Sequence, residues 1–107
     1  MLIFNNELMM APKKAEEQIK EIIFRFLDAK EYRVFIFGSR ATGEAKKYSD
    51  YDIGIFGKKP ISFEILGLID EAFENSDLPY KVDVVDFSMV SKNFKKIALS
   101  KIKILNP

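Results

Sequence analysis

Arg33-Val34-Phe35-Ile36-Phe37-Gly38-Ser39-Arg40-Ala41, followed after a polar loop by Ser49-Asp50-Tyr51-Asp52-Ile53, decides the reading of this chain. The first part is a short apolar run closed by glycine, which predicts a strand buried on both faces. Gly38 stands where the chain must turn sharply, and it permits close backbone approach to a ligand. Ser39 offers a hydroxyl and a backbone N–H at the start of a short helical turn over Ser39–Gly43, a place suited to phosphate. Arg40 and the Lys46-Lys47 pair add positive charge nearby in sequence. Glu44–Ser49 is polar and lysine-rich and reads as a loop. Tyr51–Phe56 reads as a second strand, closed by Gly57 and Pro60.

Asp50 and Asp52 are two apart at the start of that strand, so their carboxylates project the same way, with Cα atoms roughly 6.5–7 Å apart. Two carboxylates so placed can jointly hold Mg²⁺ ions about 3.5–4 Å apart. The chain has no histidine and no cysteine. A disulfide framework, a cysteine-based metal site and histidine acid–base chemistry are therefore excluded, and hard cations on oxygen ligands remain. Tyr51 faces opposite to Asp50 and Asp52 and is expected to pack. Taken alone, an Asp-x-Asp is as compatible with a solvated strand edge, and Gly-Ser with an ordinary turn. Gly38 and Gly43 have the glycine spacing of a P-loop, but Glu44 and Ala45 stand where that loop needs Lys and a hydroxyl residue, so a P-loop is rejected.

Outward from this centre, Pro12 suits a first helical turn, and Ala15, Ile19, Ile22, Ile23, Phe26 and Leu27 recur at helical spacing, predicting a helix over 12–29. Ser62 is a good N-cap for a helix over 63–75 with Ile65, Leu66, Ile69, Ala72 and Phe73 as its stripe. Tyr80–Phe87 reads as a third strand. Ser88 or Ser91 can cap a last helix carrying Phe94, Ile97, Ala98 and Leu105. The expected architecture is α/β (α+β), a small central sheet covered by helices in the order α-β-(α)-β-α-β-α, within one domain spanning 1–107.

The bulk properties agree with a globular domain: 107 residues, 48% hydrophobic, 31% charged, formal net charge +1. Charged residues from Pro60 to Tyr80 are all acidic, and from Ser88 onward all basic. Solvated helix faces account for this, as would a basic tail that meets an acidic partner. Met1–Met10 does not read as a secretory signal, and no run is long enough to cross a bilayer. A cytoplasmic protein with no membrane association is expected.

Gly38-Ser39, a ten-residue gap, then Asp50-Tyr51-Asp52 on a strand resembles the polymerase-β-type nucleotidyltransferase superfamily, and the fuller string most resembles its minimal nucleotidyltransferases, the MNT family. The resemblance implies the nucleotidyltransferase fold with a small mixed sheet. It implies that Gly38, Ser39 and Arg40 bind the nucleotide, that Asp50 and Asp52 bind Mg²⁺ at a two-metal site, and that ATP is the substrate. A third carboxylate on a later strand completes such sites. Asp83 and Asp86 are the candidates; three apart, they face opposite sides of a regular strand. The family pattern matches Asp83, between two valines, and Asp86 is expected to cap the next helix. Asp50, Asp52 and Asp83 are thus the expected catalytic and metal-binding residues.

Members of this size are typically encoded beside a HEPN ribonuclease toxin. They act as its antitoxin, in some cases by transferring AMP to a tyrosine of the toxin, without direct nucleic-acid binding. A non-catalytic module that neutralises its partner by contact, and small-molecule nucleotidyl transfer, are the alternative readings.

Overall fold

The structure, a computed structural model, describes residues 10–107; the reading of Met1–Met10 otherwise lies outside the described residues. The elements are α1 (Pro12–Ile23), β1 (Tyr32–Phe37), α2 (Ser39–Thr42), β2 (Tyr51–Gly57), α3 (Phe63–Glu74), β3 (Val82–Asp86), α4 (Lys92–Ala98) and β4 (Lys103–Ile104). They form one four-stranded sheet in the order β3-β2-β1-β4. β1 is antiparallel to β2 and to β4, whereas β2 and β3 are parallel and joined across α3. The sheet is therefore mixed, and the expected α+β architecture is observed.

Strand parity builds two cores of unequal depth. Val34 and Ile36 of β1 and Tyr51, Ile53 and Ile55 of β2 point to the face covered by α1 and α3, where they meet Ala15, Ile19, Ile22, Ile23, Ile69 and Phe73. Phe35 and Phe37 point the other way and gather with Phe87 into a small aromatic cluster. Phe87 meets Phe35 edge-on at 4.8 Å between ring centres and Phe37 at 5.1 Å. Because β1 is buried on both faces, its uninterrupted apolar run is a physical requirement. Gly54 belongs to the same cluster: a Cβ there would overlap the Phe35 ring and come within 2.7 Å of Phe87 Cε1.

Four expectations are corrected. The first helix ends at Ile23, not near residue 29; the chain then turns, with Leu27 N–H still donating to Ile23 C=O and Asp28 accepting from Lys30 N–H. Asp28 offers the backbone a turn in competition with helix, while Phe26 and Leu27 still reach the core. Leu105 is not on the last helix, which ends at Ala98; it lies beyond β4, buried beside Val34. Asn106 extends that edge by accepting from Val34 N–H and donating to the carbonyls of Ala29 and Tyr32. Asp50 precedes β2 rather than starting it.

Asp86, finally, does not cap α4, whose N-cap is Ser91. It is buried, with Oδ2 accepting from Ile61 N–H at 2.8 Å and Oδ1 accepting from the N–H and hydroxyl of Ser88. It ties the entry to α3 to the end of β3. Asp86→Ala would orphan the Ile61 amide and is expected to cost about 2 kcal/mol, read as a lower urea midpoint.

Candidate active site

Asp52 on β2 and Asp83 on β3 are direct register partners on neighbouring parallel strands. Strands in a sheet lie about 4.8 Å apart, so partners on one face have adjacent side chains. That face is the one carrying Phe35 and Phe37, since Phe37 is the register partner of Asp52 across β1. Asp86, three residues after Asp83, points to the opposite face and is taken up by Ile61 and Ser88. Parity thus brings Asp83 to Asp52 and leaves Asp86 elsewhere.

Gly38 lies against the same carboxylate. Its φ of 72° and ψ of −154° turn the chain out of β1 into α2, a backbone region open essentially to glycine. A Cβ there would overlap Asp52 Oδ2 and approach its Cγ to 3.2 Å. The turn is closed by Ala41 and Thr42 N–H donating to Gly38 C=O and by Glu44 N–H donating to Ser39 C=O. Gly38-Ser39 and Asp52 therefore share one small region. Asp50 is exposed at the mouth of β2, on a loop in which Ser49 Oγ accepts from Lys46 N–H at 2.7 Å.

The electrostatics are those of unbalanced negative charge. Burial pushes the Asp52 carboxyl above its ordinary range, and the charges of Asp83 and then Asp50 push it further. Lys81 Nζ lies 3.8 Å from Asp83, a long and solvent-exposed pairing that neutralises little. Clustered carboxylates whose mutual repulsion is not met by a fixed cation are a fitting donor set for a hard divalent ion. As they stand, no three carboxylates among the described residues close into a ready ligand set.

Arg40, expected on the nucleotide, makes its contacts within the described chain. Its guanidinium lies 4.4 Å from the centre of the Tyr51 ring and 4.9 Å from that of Tyr80, while Nε and Nη2 donate to Ser49 C=O. It joins the glycine turn to the residue before Asp50 and to the approach of β3. Tyr51, on the face away from Asp52, is buried as expected, and burial raises its phenol further than Arg40 lowers it. Arg40→Lys keeps the charge but loses the planar fork and the stacking, so it is expected to cost about 1–3 kcal/mol in urea unfolding. A variant of unchanged stability that bound nucleotide more weakly would instead put Arg40 on the nucleotide.

A cleft of about 940 Å³ opens beside these residues, lined by Asp52 and Asp83 together with Phe37, Phe94, Tyr80 and Asp70. Asp70 was legible only as part of the acidic run of α3. Its carboxyl is raised by burial, then by Glu74 and Asp83. Nothing local to α3 says that this helix lies beside the edge of β3.

A buried strand, a glycine turn and two strand-borne carboxylates in register make up the candidate site. The profile of the Polymerase beta, Nucleotidyltransferase family matches residues 17–106, and the chain belongs to that family. Among known proteins it is similar to the probable protein adenylyltransferase MntA of Haemophilus influenzae, 45% identical over 67 residues, which are 63% of this chain and 59% of that protein. The matched part is thus less than two thirds of that relative's length. Two solved structures share the fold. A crystal structure of a toxin–antitoxin with AMP-PNP matches at TM-score 0.70 and 22% identity, covering 84% of this chain and 71% of that one. A tri-AMPylated Shewanella oneidensis HEPN toxin in complex with MNT antitoxin matches at TM-score 0.60 and 21% identity, covering 87% and 70%.

Proposed function

We propose that this chain is a single-domain, Mg²⁺-dependent adenylyltransferase of the cytoplasm, which moves AMP from ATP to a hydroxyl, that of a tyrosine, on a HEPN-type ribonuclease toxin and so acts as its antitoxin. The observation that carries the reading is the register of Asp52 with Asp83 beside Gly38. The relatives support the substrate and partner: one is named a protein adenylyltransferase, and another is an antitoxin held against an AMPylated HEPN toxin.

In this reading the backbone of Gly38 and Ser39 receives the triphosphate, and the absence of a Cβ at Gly38 lets the Asp52 carboxylate lie directly against that turn. Asp50, Asp52 and Asp83 would hold Mg²⁺, which when bound would offset the charge of the triphosphate and of the reacting oxygens. Asp83 accepts the proton of the acceptor hydroxyl. The hydroxyl oxygen forms a bond to the α-phosphorus as the bond from that phosphorus to pyrophosphate breaks. No histidine is needed, because positioning and charge stabilisation carry the rate. Arg40 acts as a positioning residue that holds the glycine turn, the Asp50 loop and Tyr80 together.

The test mixes the chain with ATP, Mg²⁺ and the HEPN-type protein encoded beside it, and reads intact masses. One or more AMP units on that protein are expected, and none with Asp50→Ala/Asp52→Ala. Neutralisation of the toxin without mass gain, equally by the double variant, would leave contact alone as the mechanism.

A further inference from the structure

Among the described residues the sheet ends on β3, with no strand paired to its outer side. In a ladder, alternate residues turn their backbone groups toward the neighbour. Tyr51 N–H donates to Lys81 C=O and Phe87 N–H to Ile55 C=O, so Lys81, Asp83, Val85 and Phe87 face β2. Val82 and Val84 therefore turn N–H and C=O outward, with no strand beyond them among the described residues. Neither proline nor bulge blunts this edge, and unpaired edges are templates for another strand.

The cleft wraps around this edge. On one side its wall is Asp52 and Asp83; on the other it is Asp70 and Glu74 of α3, with Leu78 and Tyr80. Four carboxylates thus face a lining whose one cationic side chain is Lys81. Burial, and then the neighbouring charges of Glu74 and Asp83, oppose ionisation of Asp70 there. The chemistry that suits such a groove is an extended backbone with basic side chains.

We propose that the acceptor docks by strand addition: an extended peptide segment bearing basic residues pairs with Val82 and Val84 on the outer edge of β3 and presents its hydroxyl beside Asp83. The proposal rests on the reading above, that the acceptor is a protein. An added strand lies about 4.8 Å away, and its side chains alternate between faces. Those directly opposite Asp83 come within roughly 4.5–5.5 Å at Cβ, on the face of Asp52. Those opposite Val82 and Val84 project toward α3, where lysine or arginine would meet Asp70 and Glu74. Main-chain pairing supplies affinity and the alternate side chains supply selection. Transfer then depends on segment geometry as well as on the presence of a hydroxyl.

Amide hydrogen exchange tests this, with isotope-labelled chain alone and in complex with the acceptor protein, without ATP. Exchange at Val82 and Val84 should slow at least tenfold in the complex, while Val85, already paired to β2, changes little. Asp70→Lys/Glu74→Lys, both at exposed positions, should weaken the complex at least tenfold with an unchanged melting temperature. A complex that leaves Val82 and Val84 unprotected overturns the docking surface while the transferase reading stands. Protection already present in the free chain and lost on deleting residues 1–9 assigns the edge to the chain's own N-terminal segment and overturns it too. Absence of any complex removes the acceptor reading and the docking surface together.

Discussion

Asp52→Asn is expected to lower adenylyl transfer by about a thousandfold while leaving the metal-free chain at least as stable at neutral pH. The two effects have one cause. Asp52 is held above its ordinary value of 3.8 by burial, then by Asp83 and Asp50. The folded state therefore binds this proton more tightly than the unfolded state. Below 3.8 both states are protonated and Asp52 carries no penalty. As pH rises from 3.8 through the raised folded value, stability is lost, and above it the full penalty remains. Asparagine removes the charge and with it the penalty, so the variant's advantage should be present at pH 7 and vanish in acid. Calorimetric melting across that range, without Mg²⁺, checks the sign. Adding Mg²⁺ and a non-hydrolysable ATP analogue should then stabilise the parent chain and not the variant, because ligand binding favours the state that binds it. A variant less stable by more than about 1 kcal/mol without metal would make Asp52 a structural residue.

Gly38→Ala is expected to cost about 1–3 kcal/mol of stability, from the backbone alone. It should also reduce transfer about a hundredfold or more, since a displacement near 1 Å at a reacting group has that effect. The backbone of Gly38 is at φ 72°, ψ −154°, and the new Cβ would take the space of Asp52 Oδ2. One methyl group therefore strains the turn and displaces the carboxylate together. Urea unfolding reads the first loss. Single-turnover transfer at saturating ATP reads the second, and separates it from weaker nucleotide binding. Gly43 is the internal control: it is also left-handed, at φ 85°, but nothing lies within 4 Å of a Cβ there. Gly43→Ala should show the stability loss without the hundredfold loss of transfer. Equal loss of transfer from both would detach Gly38 from the site.

Much of the fold was legible because burial on both faces leaves a signature that needs no partner to read. Val34–Phe37 reads as a buried strand, and Ser62 as the cap of a helix with that stripe behind it. The end of α1 was not legible, since Phe26 and Leu27 keep the helical spacing while reaching the core from turns. β4 was invisible for a different reason. Two residues carry no period, and what holds them is pairing with β1, extended by Leu105 and Asn106 to residues about 70 positions earlier.

The site divides along the same line. Parity is a covalent property of an extended chain, so the sequence by itself determined that Asp83 and Asp86 face opposite sides and that Tyr51 points away from Asp52. It also determined, by lacking histidine and cysteine, that only oxygen ligands are on offer. The tertiary structure decided which strands are neighbours, and hence that Asp52 and Asp83 stand in register and that β3 is an edge among the described residues. It decided the place of Arg40 as well, whose charge suggested phosphate in the sequence but whose guanidinium lies between two tyrosine rings and a carbonyl. Strand order and side-chain partners depend on loop closure and packing between residues distant in the chain, and no local pattern records them.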